Sequence, residues 1–166
     1  MESLVNLFTN TLGQYMSREA LVFVISLFPI LELRGGILAA SLLDLPVMKG
    51  IIISAIGNVI PIPFILFFVK KVFAALKKLK VFRPIVEKLE NKALGKRGRI
   101  EKYKFWGMVL FVGVPLPGTG AWTGSLVAAL IDMDLKEAIK AELLGICMAA
   151  AIMTLVSYGI IGNIVG

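Results

Sequence analysis

The chain of 166 residues has no histidine and a single cysteine, Cys147. Without histidine there is no Ser-His-Asp catalysis, no imidazole metal ligand and no side chain that ordinarily titrates near neutral pH. One cysteine excludes a disulfide within the chain and leaves a thiol nucleophile without a partner. In its apolar run Cys147 reads as a small packing residue. Charge is also scarce, at 17% of residues, where an average soluble domain carries about 25%. No catalytic residue, metal-ligand cluster or cofactor motif stands out, so the chain reads as a non-enzyme without metal or cofactor.

Apolar side chains make up 58% of the residues, and the mean hydropathy is +0.88. A domain this small leaves much of its surface exposed and has too little interior to hide so many. A water-soluble enzyme and a disordered chain are excluded, and an all-α integral membrane protein is what remains. At about 20 residues per crossing the apolar stretches allow at most four or five membrane segments. Residues 1–16 carry no basic cluster, so they do not read as a secretory signal. Leu4, Phe8 and Leu12 instead keep the spacing of an amphipathic helix lying in the interface.

The net charge is +7, and 13 of the 18 basic residues fall within residues 70–104. One basic loop between apolar segments is the positive-inside signature, which puts residues 70–104 in the cytoplasm and argues against a nucleic-acid partner. Val72, Leu76 and Leu79, then Ile85, Val86 and Leu89 after Pro84, each keep one helical face, until Gly95-Lys96-Arg97-Gly98-Arg99 ends the pattern. The loop is expected to rest as a helical hairpin on an anionic lipid leaflet.

Two of the apolar stretches are broken. The first, residues 18–45, is interrupted by Phe28-Pro29-Ile30-Leu31-Glu32-Leu33-Arg34-Gly35-Gly36, where Pro29 blocks a helix and Gly35 and Gly36 loosen it. The third, residues 105–133, is interrupted by Val114-Pro115-Leu116-Pro117-Gly118-Thr119-Gly120-Ala121-Trp122. Between them residues 47–69 can span, with a kink at Gly57-Asn58-Val59-Ile60-Pro61-Ile62-Pro63. Residues 138–164 form the second spanning helix, with Glu142 read as part of its solvated start. Sliding the chain by 88 positions matches ten residues between Phe23 and Gly57, among them Pro29 with Pro117, Gly36 with Gly124, Asp44 with Asp132 and Gly57 with Gly145. Each half is thus a broken stretch, an Asp-marked turn and a spanning helix, divided as residues 17–69 and 105–166.

Paired broken segments in equivalent halves point to a transporter binding site. Arms of ten to twelve residues at 1.5 Å each cover roughly 15–18 Å, about half of a ~30 Å hydrocarbon core, which suits re-entrant hairpins. With both ends of residues 70–104 inside, such hairpins enter from opposite faces and the repeats are inverted. If the broken stretches span instead, the halves are parallel and the protein is a four-helix bundle. The inverted form is favoured.

Glu32 and Arg34 sit where charge in lipid is most costly. Read functionally, Arg34 is an anion or phosphate partner through its planar donors, and Glu32 is the proton-coupling group. Read structurally, they are a buried ion pair locking the hairpin. In the second break, Gly118 and Gly120 let backbone approach a ligand, N–H groups at the following helix start form an anion site, Thr119 and Thr123 add hydroxyls and Trp122 an aromatic wall. Close packing through Gly120 and Gly124 is the alternative there. Asn58 is placed so that it can face the hairpin tip.

The segments Glu32-Leu33-Arg34-Gly35-Gly36 and Pro115-Leu116-Pro117-Gly118-Thr119-Gly120-Ala121-Trp122-Thr123-Gly124 resemble the small multidrug export family, a prokaryotic branch related to the DedA membrane proteins. The resemblance covers residues 19–162. It implies two opposed re-entrant hairpins, a homodimer in the cell membrane, and a membrane-embedded acid and arginine, matched by Glu32 and Arg34. It also implies proton-coupled translocation of a phosphate-bearing amphiphile such as a polyprenyl-phosphate carrier. Trp122 and Thr123 stand where DedA proteins carry an arginine motif. Two further readings stand beside this one: a proton-driven exporter of small cationic drugs, and a non-transporting scaffold or scramblase.

Overall fold

The computed structural model describes Leu7, Thr11 and residues 16–95 and 97–160, and among them it contains helices and no strand. The interfacial helix expected over residues 1–16 lies outside the described residues. Helix α1 (Arg18–Leu27) starts under a Ser17 cap, whose hydroxyl accepts from the Ala20 amide. A turn carrying Pro29 leads to α2 (Glu32–Leu42), and Pro46 opens α3 (Val47–Val59). Pro61 then opens α4 (Pro61–Lys77), where its missing N–H is harmless because first-turn amides have no partner within the helix. Further along come α5 (Arg83–Leu94), α6 (Arg97–Gly113), α7 (Ala121–Leu130), α8 (Leu135–Thr154) and a π-helical turn (Leu155–Ile160).

Helices α3 and α4 join through a helical Ile60 into one apolar run of 31 residues, Val47–Lys77, and α8 with most of the π turn makes another of 25, Leu135–Gly159. Both are long and apolar enough to cross a membrane. The first continues eight residues past the Val69 boundary expected from sequence, because Val72 and Leu76 sustain its helical pattern. The Gly95–Arg99 stretch does not hold the chain open either: α6 begins at Arg97.

Nine consecutive residues of α2, Glu32 to Ala40, are buried. A helix surrounded on every side needs small residues where neighbours approach, and here Gly35 and Gly36 supply them. A Cβ on Gly35 would come within 2.7 Å of the Leu31 Cβ, and one on Gly36 would run into the Ser26 hydroxyl and lie 2.6 Å from the Ser54 hydroxyl. The sequence reading of these two glycines as helix-breakers is therefore corrected. The break lies before Glu32, and tertiary contact outweighs their poor helix propensity.

The 88-residue offset recurs in the backbone. After α2, the Leu43, Asp44 and Leu45 amides donate to the Ala39, Ser41 and Ala40 carbonyls; after α7, those of Ile131, Asp132 and Met133 donate to Val127, Ala129 and Ala128. Asp44 and Asp132 take the same left-handed φ, 54° and 56°. They terminate their helices rather than cap the next ones. Glu19 pairs with Lys49 near the start of α3, and the Lys49 hydrogen bond holds its carboxyl below the usual range. Asp132 pairs with Lys70, near the other end of that long helix. At the far end of α8, Tyr158 donates to the Leu45 carbonyl.

Candidate functional site

The two breaks meet, and the charged residues of the first hold the open helix ends of the second. A helix interrupted in an apolar setting leaves carbonyls at one end and amides at the other without partners. Arg34 answers the carbonyls: one guanidinium nitrogen donates to Leu116 O at 2.9 Å, and the other reaches Val114 O at 3.2 Å, Val112 O at 3.4 Å and the Thr119 hydroxyl at 3.0 Å. Glu32 answers the amides, its carboxylate accepting from Ala121 N at 3.2 Å and Trp122 N at 3.1 Å. Each charge matches the helix end it meets, the cation at the carbonyl end of α6 and the anion at the amide end of α7. Glu32 is 4% exposed and Arg34 6%.

Glu32 has a φ of 51°, a left-handed conformation that side chains other than glycine and Asn/Asp seldom adopt. That backbone turn is what aims its carboxylate across to α7. Facing it is Gly120, with φ 127° and ψ −178°, a combination essentially restricted to glycine. A Cβ on Gly120 would fall onto the Glu32 carboxylate. Positions 32 and 120 are themselves related by the 88-residue offset.

A cavity of about 470 Å³ opens beside this contact. Pro29, Glu32 and Arg34 line it from the first break; Pro115, Pro117, Gly118 and Thr119 line it from the second, and Thr123 from α7. Three expected residues do not line it: Gly120, which packs on the Glu32 carboxylate, Trp122 and Asn58. Trp122 turns its indole to a neighbouring groove, with Nε1 donating to the Leu27 carbonyl at 3.2 Å. Asn58 is buried in α3 and does not line the cavity; its carbonyl oxygen has no partner among the described residues. The anion site expected at the start of α7 is filled by the chain's own carboxylate.

A sequence profile of the family described as Putative small multi-drug export protein matches residues 32–152. The chain belongs to that family. No curated protein and no solved structure matches it. The segment shared with the small multi-drug export family opens on Glu32 and takes in α2, the second break and most of α8. Family and long apolar helices together point to a membrane protein.

Within the family segment the structure also brings in a carboxyl that the sequence reading set aside. Glu142 is fully buried and not a solvated helix start. Ser125 of α7 donates to one of its oxygens at 2.8 Å, while the other has no partner among the described residues. Gly124 lies beside it, and what requires a glycine there is Val112, which a Cβ would approach to 2.8 Å. The available signal was the 88-residue offset, which places Glu142 on Ser54, a fully buried position.

Proposed function

We propose that the chain is a membrane exporter that exchanges a proton for a small organic cation at Glu32, in the cavity between the two breaks. The observation that carries this is how the site's donors are spent. Arg34 gives its guanidinium to Val112, Val114, Leu116 and Thr119, and the α7 amides are held by Glu32, so the remaining lone pairs of the cavity-lining Glu32 carboxylate are left to face a ligand. The Glu32 carboxylate suits a cation. An ionised Glu32 binds it, and protonation of that carboxyl cancels the charge and lets it go. The family's description as an export protein agrees with this direction.

A phosphate-bearing amphiphile such as a polyprenyl-phosphate carrier is the second reading. It is favoured by the two amides that now hold Glu32: once that carboxyl is protonated and turns away, they are an anion site at a helix N-terminus.

The membrane arrangement proposed with either reading is a pair of inverted repeats in the cell membrane, each a re-entrant hairpin and a spanning helix, with the basic loop cytoplasmic against anionic lipid and two chains forming a homodimer. Helices α1, α2 and α7 have 10, 11 and 10 residues, lengths of roughly 15 Å that reach about halfway through a bilayer. The pairing of Glu19 with Lys49 and of Asp132 with Lys70, at opposite ends of the long helix, supports hairpins entering from opposite faces.

The test is flux into proteoliposomes under an imposed pH gradient, comparing tetramethylammonium with a labelled prenyl phosphate. Cation flux that follows the gradient and falls at least tenfold in Glu32→Gln is expected. Cation flux undiminished in that variant, or with the gradient collapsed, sinks the exchange. Prenyl-phosphate flux without cation flux selects the second reading.

A further inference from the structure

A second cavity adjoins the first. It is a groove of about 350 Å³ lined by Ile65, Val69 and Phe73 of α4, Leu89 of α5, and Trp122 and Leu126 of α7. Ile65, Val69 and Phe73 are spaced i, i+4, i+8 and so form one stripe of α4. Phe64, Phe67 and Phe68 of the same helix stand on other faces and are exposed, which sets the groove apart from the general apolar exterior. Pro29 and Thr123 line both cavities, so groove and polar cavity share a wall. Trp122 binds the two together, its backbone amide holding Glu32 while its ring faces the groove.

Resting on the cation-exchange reading, we infer that the substrate is an amphiphile, whose cationic head enters the cavity at Glu32 and whose apolar part lies in the groove between α4, α5 and α7. A bare small cation fills only the polar half of this paired space. An apolar group carried past Pro29 and Thr123 gains burial against Val69, Phe73 and Leu126, and each methylene so placed tightens binding about fourfold. The occupant of the groove is thus covalently joined to the occupant of the cavity.

The test uses Trp106→Phe protein in nanodiscs, which leaves Trp122 as the only tryptophan. Bromine at the end of an alkyl chain quenches a tryptophan that it touches. Titration with 12-bromododecyltrimethylammonium is expected to quench Trp122 saturably, with relief by excess dodecyltrimethylammonium; bromoethyltrimethylammonium is expected not to quench. Val69→Phe, which fills the groove, is expected to raise the half-saturation concentration at least tenfold and leave tetramethylammonium flux unchanged. Quenching that never saturates and equals that of a brominated phospholipid, or that ignores Val69→Phe, assigns the groove to bilayer lipid and overturns the inference. In that event persisting tetramethylammonium flux leaves the exchange reading standing, whereas loss of flux of every cation brings down both.

Discussion

Glu32 carries three costs at once: it is ionisable, buried and held in a left-handed backbone conformation. Conformations of that kind cost on the order of 1–3 kcal/mol each and cluster where function needs them. Gly120 is bound to it by geometry, which gives a sharp expectation. Gly120→Ala should destabilise by roughly 1–3 kcal/mol from backbone strain alone, with further loss because the new methyl lands on the Glu32 carboxylate. The double variant Gly120→Ala/Glu32→Ala should lose less than the two single changes summed, since the collision occurs only when both side chains are present. Denaturant or thermal melts of the four proteins read that coupling; strict additivity would show that the two positions do not touch. Arg34→Lys should be nearly as damaging to stability as Arg34→Ala. An ammonium is a point donor and cannot span four acceptors as a planar guanidinium does, and each stranded carbonyl costs about 1–3 kcal/mol. A melt of Arg34→Lys at the wild-type temperature would remove the clamp from the account.

At the scale of elements, α7 is a ten-residue helix with its amides held by Glu32 and its Ser125 holding Glu142. Ser125→Ala leaves Glu142 without a hydrogen-bond partner among the described residues, so the variant should lose about 1–3 kcal/mol. Glu142→Gln keeps an acceptor for Ser125 and should melt close to wild type. Equal stability of Ser125→Ala and wild type would refute the pairing. The breaks, the Asp-marked turns and the new helix start at Pro61 were legible in the sequence because proline and backbone geometry act locally. The roles of Gly35 and Gly36 were not legible: what fixes them is the nearness of Leu31 and of Ser26 and Ser54, which belong to the neighbouring helices α1 and α3. Arg34 and Glu32 could be named from their charge in an apolar run. That each reaches a different helix end some 80 to 90 positions away is a tertiary fact that no local pattern carries.

For the whole molecule, the ion pairs at the two ends of the Val47–Lys77 helix make the arrangement in the membrane testable. In a Cys147→Ala background, Asp44→Cys and Asp132→Cys place a lone thiol on each of two turns with the same hydrogen-bond pattern. A membrane-impermeant maleimide applied to intact cells should label the first, and the second only after permeabilisation. Labelling of both from one side would establish parallel halves and remove the inverted arrangement.

The contact between positions 32 and 120 also says something about history. The two positions are related by the 88-residue offset, and they touch. While two identical half-chains met at such a point, each would have faced its own twin, glycine to glycine or carboxylate to carboxylate. Halves that differ in sequence let one position hold Glu32 and the other shrink to Gly120. On this view the loss of symmetry is what gives the pair a single acidic centre.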